Sequence, residues 1–380
     1  MTDLVHRVFP AAPERPIIAP GMYHRMLAEP PAPPRRLHLR LEPDGRGLLI
    51  VNASTVLHLN ETAAAHAWLL VQGESEDEAA EWMARRFRIS RGRALKDGRV
   101  IRDQIKSLAE GEDLDPVMVM GLERAEAYEP RPTSPYRLDL ALTYRLADGV
   151  AMDPQARRRV DHELTTTEWI GIPHVIFVGG EPAVRPDLLD LIRHAEQLGQ
   201  VTGVVTSAEG LLGPQRLEGL AAAGTDHLLA VVDPSRAPSL EGLRQAVASD
   251  VFCAAHLTLD PITEEGVLED LRRIRETGVT HISLSAPPGA GGAAMLGIAQ
   301  QYLAEAGLSL VWDVPVPFAG NNPIRLEGGV APEAGAWLYI EPDGDVLPAI
   351  GAGTVLGNVV RDSIADMWRR AAEGLSLPSI

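Results

Sequence analysis

The 380-residue chain contains a single cysteine, Cys253. One thiol excludes an internal disulfide framework and any metal or iron–sulfur site built from several cysteines. Basic residues are also outnumbered, with 35 Lys and Arg against 52 Asp and Glu, for a formal net charge of −17. That balance argues against an electrostatic nucleic-acid binder and against a polybasic membrane binder, although it leaves room for a local basic patch. No apolar run of about 18 residues occurs, so no membrane-spanning helix is expected. Met1-Thr2-Asp3 opens no basic stretch followed by an apolar one, so no secretory signal is expected and a cytoplasmic location is. The P-loop pattern, the Gly-x-Ser-x-Gly pattern and a His-Glu-x-x-His pair are all missing, and the histidines are scattered without ligand spacing.

What is present suits a packed protein of two or three domains, with 45% hydrophobic and 23% charged residues. Residues 1–36 are proline-rich and aperiodic, which predicts an irregular arm. Leu37, Leu39 and Leu41 then alternate with His38 and Arg40. Glu42-Pro43-Asp44-Gly45 supplies turn chemistry and Leu48-Leu49-Ile50-Val51 a second strand. A third strand fits 56–59. Asn60 caps a helix starting near Glu61, and further helices are expected over 76–87 and 95–108. Three strands followed by three helices over 37–109 predict a small winged-helix-like unit, and the acidic, proline-containing stretch 110–135 reads as a linker.

From 136 to 335 the pattern alternates between strands and helices. Strands are expected at 137–144, 174–178, 201–206, 227–232, 251–259, 281–286 and 308–312, with helices near 155–170, 187–198, 214–223, 239–248, 264–277 and 293–306. Such repetition predicts an α/β fold with a parallel sheet closed into a full or partial barrel, whose active site lies at the C-terminal strand ends. Residues 336–380 form a C-terminal extension, with a hairpin over 337–349 and a helix near 361–373.

One such strand end reads Phe177-Val178-Gly179-Gly180-Glu181-Pro182. Two glycines let the backbone approach a ligand, Glu181 can accept hydrogen bonds from an amine, and Pro182 fixes the turn. The alternative is a tight strand-to-helix turn with no ligand. Thr206 and Ser207 end the next strand and offer further polar groups, as do the ends of the strands carrying His256 and Ser283.

These stretches together resemble the radical SAM family, in particular its peptide-modifying members. The resemblance rests on Leu138–Tyr144, the Gly179–Pro182 turn, Asp187–His194 and the 199–203 segment. It extends to Trp337-Leu338-Tyr339-Ile340-Glu341-Pro342-Asp343-Gly344-Asp345 with Leu356-Gly357-Asn358 and Trp368. Leu59-Asn60-Glu61-Thr62-Ala63-Ala64 and the following helices resemble a PqqD-like peptide-recognition domain. The implied fold is therefore a radical-SAM-type partial TIM β/α barrel, preceded by a winged-helix-like PqqD-type domain and followed by a short extension. The resemblance implies that Gly179, Gly180, Glu181 and Pro182, with Thr206 and Ser207, line a site for S-adenosylmethionine. It also implies that a precursor peptide adds as a strand beside Val56, Leu57, His58 and Leu59, against the third helix. Arg99 and Arg102 on that helix are either attractors for acidic peptide residues or part of an ordinary solvated face.

The chain also departs from the family pattern. The Cys-x3-Cys-x2-Cys loop after the first barrel strand is matched by 144–153, where the three ligand positions hold Leu146, Val150 and Asp153. Ala349 stands where the extension is expected to carry a cysteine. Leucine and valine have no lone pair to give, so no 4Fe–4S cluster and no metal are expected, and radical cleavage is not expected of this chain. The expected function is a pseudoenzyme of ribosomal-peptide modification, a non-catalytic scaffold that binds a precursor peptide and works with an intact radical SAM enzyme. Two alternatives stay open. One is an enzyme or sensor that still binds S-adenosylmethionine or another small ligand in the barrel without radical cleavage. The other is a barrel that takes a cluster from a partner's ligands.

Overall fold

The structure, a computed structural model, describes residues 18–28, 35–51, 55–110, 134–144, 172–259, 263–312, 314–324 and 337–374. The chain divides into two units, 1–124 and 125–380.

In the first unit, β1 (Gly21–Ala28), β2 (Arg35–Leu41), β3 (Gly47–Val51) and β4 (Thr55–Leu59) form an antiparallel sheet in the order β1-β2-β3-β4. The alternating pattern predicts β2, β3 and β4. It does not predict β1, and the irregular arm expected over 1–36 is corrected there. Gly21 to Ala28 pairs with β2 from Gly21↔Leu41 to Ala28↔Arg35. Pro20 and Pro30 flank this strand without entering it, so the ladder loses no donor. Tyr23 meets Trp68 edge-on at 6.3 Å, and Arg25 Nη1 donates to the Leu70 carbonyl at 2.7 Å, which fastens β1 to the following helix.

That helix, α1 (Glu61–Gln72), is capped by Asn60, whose side chain accepts from the Ala63 amide at 2.9 Å. Ser75 and Glu78 form a reciprocal capping box on α2 (Glu76–Phe87). The third helix, α3 (Arg91–Glu110), begins before the expected residue 95 because the Ser90 hydroxyl accepts from the Arg93 amide at 3.3 Å. Leu37, Leu39, Leu49, Leu57 and Leu59 face Ala64, Leu70, Ile105 and Leu108 in one buried cluster.

The second unit carries β5 (Arg137–Ala141), β6 (His174–Val178), β7 (Val201–Ser207), β8 (His227–Val231), β9 (Phe252–Thr258), β10 (His281–Ser285) and β11 (Ser309–Val311). All seven are parallel and lie side by side in sequence order. Between them run α4 (Leu188–Gln197), α5 (Pro214–Ala223), α6 (Ala237–Val247), α7 (Glu264–Arg275) and α8 (Ala290–Ala306). The helix expected near 155–170 lies outside the described residues.

The extension is built into the same sheet. β12 (Trp337–Ile340) pairs in parallel with β5, and β13 (Asp345–Leu347) and β14 (Gly357–Asn358) follow antiparallel. A last helix, α9 (Ile364–Glu373), buries Met367 and Trp368. The sheet therefore ends at β11 and β14 among the described residues, which makes the barrel partial.

Alternate residues divide the sheet into two faces. Leu138, Leu140, Phe177, Leu228 and Ile282 pack outward with the helices. Ala141, Ile176, Val178, Val205, Leu229, Ala254 and Tyr339 share a single inward cluster. Residues from β5 to β9 and from β12 meet in one cluster because the sheet curls.

At the N-terminal end of the strands the interior is polar. The Arg137 guanidinium lies 4.5 Å over the Trp337 ring and pairs with the buried Asp139 at 2.7 Å. Burial raises the Asp139 carboxyl, against the pull of Arg137. His174 and His227 bring their Nε2 atoms to 3.3 Å. The His227 ring occupies the space that a Cβ at Gly203 would need, 2.2 Å away. A Gly203→Ala chain must move that buried ring and break the histidine contact. It should lose about 1–3 kcal/mol of stability, read as a lower urea midpoint with unchanged slope.

Candidate functional site

The Gly179–Pro182 turn stands at the C-terminal end of β6, the end where barrel enzymes build their sites. Gly179 and Gly180 both adopt positive φ, 83° and 52°, a conformation that L side chains disfavour. A Cβ on Gly179 would also fall 2.4 Å from the Ala141 Cβ, so the turn is pressed against β5.

Glu181 is 3% exposed, and its carboxylate faces the protein. Oε1 accepts from the Ala183 amide at 3.0 Å and from the Thr206 hydroxyl, and Oε2 accepts from the Ser207 amide at 2.8 Å. The structure therefore brings Glu181, Thr206 and Ser207 together as the sequence suggests, but as partners of one another. Ser207 turns its own hydroxyl to the Gly210 amide at 3.1 Å. Arg185 completes the corner: it pairs with Asp187 through two contacts of 2.8 and 2.5 Å and donates to the Leu142 carbonyl at 3.0 Å.

A second polar group lines the same end of the barrel. His256, fully buried, sets Nδ1 3.1 Å from the Ser283 hydroxyl and Nε2 3.0 Å from the Thr258 hydroxyl. Ser285 lies 3.3 Å from the same Nε2. Burial lowers the His256 pKa to about 3, so the ring is neutral at physiological pH.

The expected cluster positions Leu146, Val150 and Asp153 lie outside the described residues. Tyr144, the last described residue before them, is hydrogen-bonded to Glu341 of the extension, and burial raises both groups. Cys253 packs with the outward core of β9, and burial pushes its thiol up to about 12, away from the thiolate that a cluster requires. One such thiol in the whole chain does not fit a 4Fe–4S cluster.

In the first unit, β4 is the terminal strand of its sheet among the described residues. Leu57 and Leu59 are buried, whereas Val56 is 42% exposed and His58 is exposed. Arg99 pairs with Glu76 at 2.6 Å, and Arg102 donates to the Glu74 carbonyl at 3.0 Å. Both side chains are thus held against the start of α2.

No protein-family model matches the chain. The PqqA peptide cyclase of Ruegeria pomeroyi is 31% identical over 271 residues, covering 60% of this chain and 71% of that protein. The chain belongs to the PqqA peptide cyclase family. These are radical SAM enzymes that modify peptides. The PqqA peptide cyclase of Rhizobium meliloti is 28% identical, covering 63% of this chain and 75% of that one. Among solved structures, Streptococcus suis SuiB bound to S-adenosylmethionine superposes with a TM-score of 0.56 at 17% identity, over 90% of this chain and 88% of that one. The fold is accordingly a small N-terminal domain with an antiparallel sheet followed by a radical SAM-type partial barrel. No described helix is long and apolar enough to cross a membrane.

For S-adenosylmethionine the glycine turn is in place, and the Glu181 carboxylate holds three protein donors on its about four acceptor positions. For the 4Fe–4S cluster a single thiol supplies no ligand set. The sequence also understated the strand-end histidines. The His174–His227 contact and the His256 network depend on register between strands, which no local spacing displays.

Two outcomes follow. Glu181→Gln replaces an acceptor pair with one acceptor and one donor facing donors, and should cost about 1–3 kcal/mol in urea unfolding. His256, at about 3, and His227, at about 4, both lie below the usual 6.5, so in acid the unfolded chain binds the extra protons. Their stabilisation is complete above pH 6.5 and is lost as pH falls toward 4 and 3, at about 1.4 kcal/mol per pH unit for each. Urea midpoints at pH 7, 6 and 5 should fall in that order, and more shallowly in His256→Gln.

Proposed function

We propose that this chain is a non-catalytic peptide-binding member of a peptide-modification pathway. It holds a ribosomally made precursor peptide on its N-terminal unit and presents it to an intact radical SAM enzyme. The barrel serves as scaffold and performs no radical cleavage. The observation that carries this reading is the donor set: a single thiol, buried on the outer side of β9, in a family whose chemistry needs a thiolate-held cluster. The β4 edge supports the binding half, because a strand that is terminal in its sheet among the described residues can take an added strand through main-chain hydrogen bonds. SuiB, which shares the fold at a TM-score of 0.52, has been crystallised with its precursor peptide SuiA.

The test uses the full chain, freed of iron and titrated calorimetrically with a PqqA peptide, the peptide for which its relatives are named, and with a scrambled peptide of the same composition for comparison. Binding of the PqqA peptide with a Kd near micromolar, about −8 kcal/mol, is expected, and none of the scrambled one. The double substitution Val56→Asp, His58→Asp should weaken it at least tenfold, and Arg99→Ala less than threefold. Equal affinity in the edge variant, or no binding at all, would sink the reading. Anaerobic reconstitution with iron and sulfide should yield no cluster absorption band, and adding S-adenosylmethionine and dithionite should yield no 5′-deoxyadenosine. A stoichiometric cluster would restore catalysis as the better account.

A further inference from the structure

Residues 314–322, which follow β11, reach into the barrel. Val316, 1% exposed, belongs to the inward-facing cluster with Ala141, Val178, Val205, Leu229 and Ala254, and Val314 and Ala319 pack at its margin. Hydrogen bonds tie this segment to the C-terminal end of β10. The Ser285 hydroxyl donates to the Pro317 carbonyl at 2.8 Å, and the Ala286 amide donates to the Asn321 carbonyl at 3.2 Å. The Asn321 side chain donates to the Ala286 and Pro287 carbonyls at 2.8 and 3.0 Å. Between these ties lies Phe318, held in the left-handed region at φ 58° with its ring 46% exposed. A bulky residue at positive φ is strained, and such strain persists only where the surroundings impose it.

We propose that 314–322 is a detachable stopper seated in the C-terminal mouth of the barrel. Val316 is the plug, the β10 contacts are its fastening, and the strain at Phe318 favours release. The stopper opens by local unfolding while the strands stay paired, and anything that enters the upper barrel must first displace it. This goes beyond the peptide-binding reading and does not depend on it, since it concerns the barrel alone.

The chain's single native thiol makes the test simple. In a full-length Cys253→Ser chain carrying Val316→Cys, a close match in size, alkylation by iodoacetamide reports exposure of position 316. The expected rate is at least about 100-fold above that allowed by global unfolding, and it is flat at low urea because little surface is exposed. A rate that climbs with urea at the slope of global unfolding overturns the proposal. Hydrogen exchange on the unaltered chain checks it independently. The amides of 314–322 and of Ala286 should exchange together, well ahead of those in β9 and β10, and exchange in step with those strands overturns it. Phe318→Asn, which tolerates the left-handed region, should slow that local exchange at least threefold, and faster exchange removes strain from the account.

Discussion

Glu181 is an ionisable group taken out of water at the junction of β6 and β7, and the upper ends of those strands are arranged around its two oxygens. A buried carboxylate demands donors, and three converge on it from Ala183, Thr206 and Ser207. Each donor settles something further. The Ala183 contact closes the 3-10 turn Pro182–Val184, and Ser207, fixed by its own amide, caps the 3-10 turn Ala208–Leu211 with its side chain. α6 then packs so closely on that second turn that a Cβ at Gly242 would lie 1.8 Å from the Ala208 carbonyl oxygen. A short motif that suggests a ligand is here also the keystone of a corner, which gives it a structural reason to persist.

The same economy of charge runs through the barrel interior. Its apolar layer is mostly aliphatic, with Tyr339, and the polar groups beside it include histidines kept neutral by burial, together with hydroxyls. The inward cation Arg137 is answered by Asp139 and the Trp337 face. That contact also explains why the extension joins the sheet where it does: Trp337 sits opposite Arg137 in the β5–β12 register.

Much of this was legible in the sequence, because local pattern carries strands and helix caps. The strand–helix alternation places β6 to β11 and their helices to within a few residues, and Asn60 marks the start of α1. The strand β1 was hidden because the prolines around Gly21–Ala28 dominate the composition although none falls within it. The α3 start was hidden because Ser90 acts from outside the hydrophobic period. At the site, residue types were readable but directions were not. Glu181 can serve a ligand or its own fold, and its part in the fold is set by Thr206 and Ser207, contributed by another strand. The histidine contacts likewise arise from register across strands that are distant in sequence.

The placement of β1 also bears on which edge an added strand would choose. A four-stranded sheet has two edges, and each is a template for another chain. By pairing with β2, β1 becomes the outer strand opposite β4 among the described residues. Its register breaks between Met26 and Ala28, which interrupts the regular row of donors and acceptors that strand addition needs, whereas β4 keeps unbroken register from Thr55 to Leu59. Of the two outer strands, β4 is therefore the more regular template.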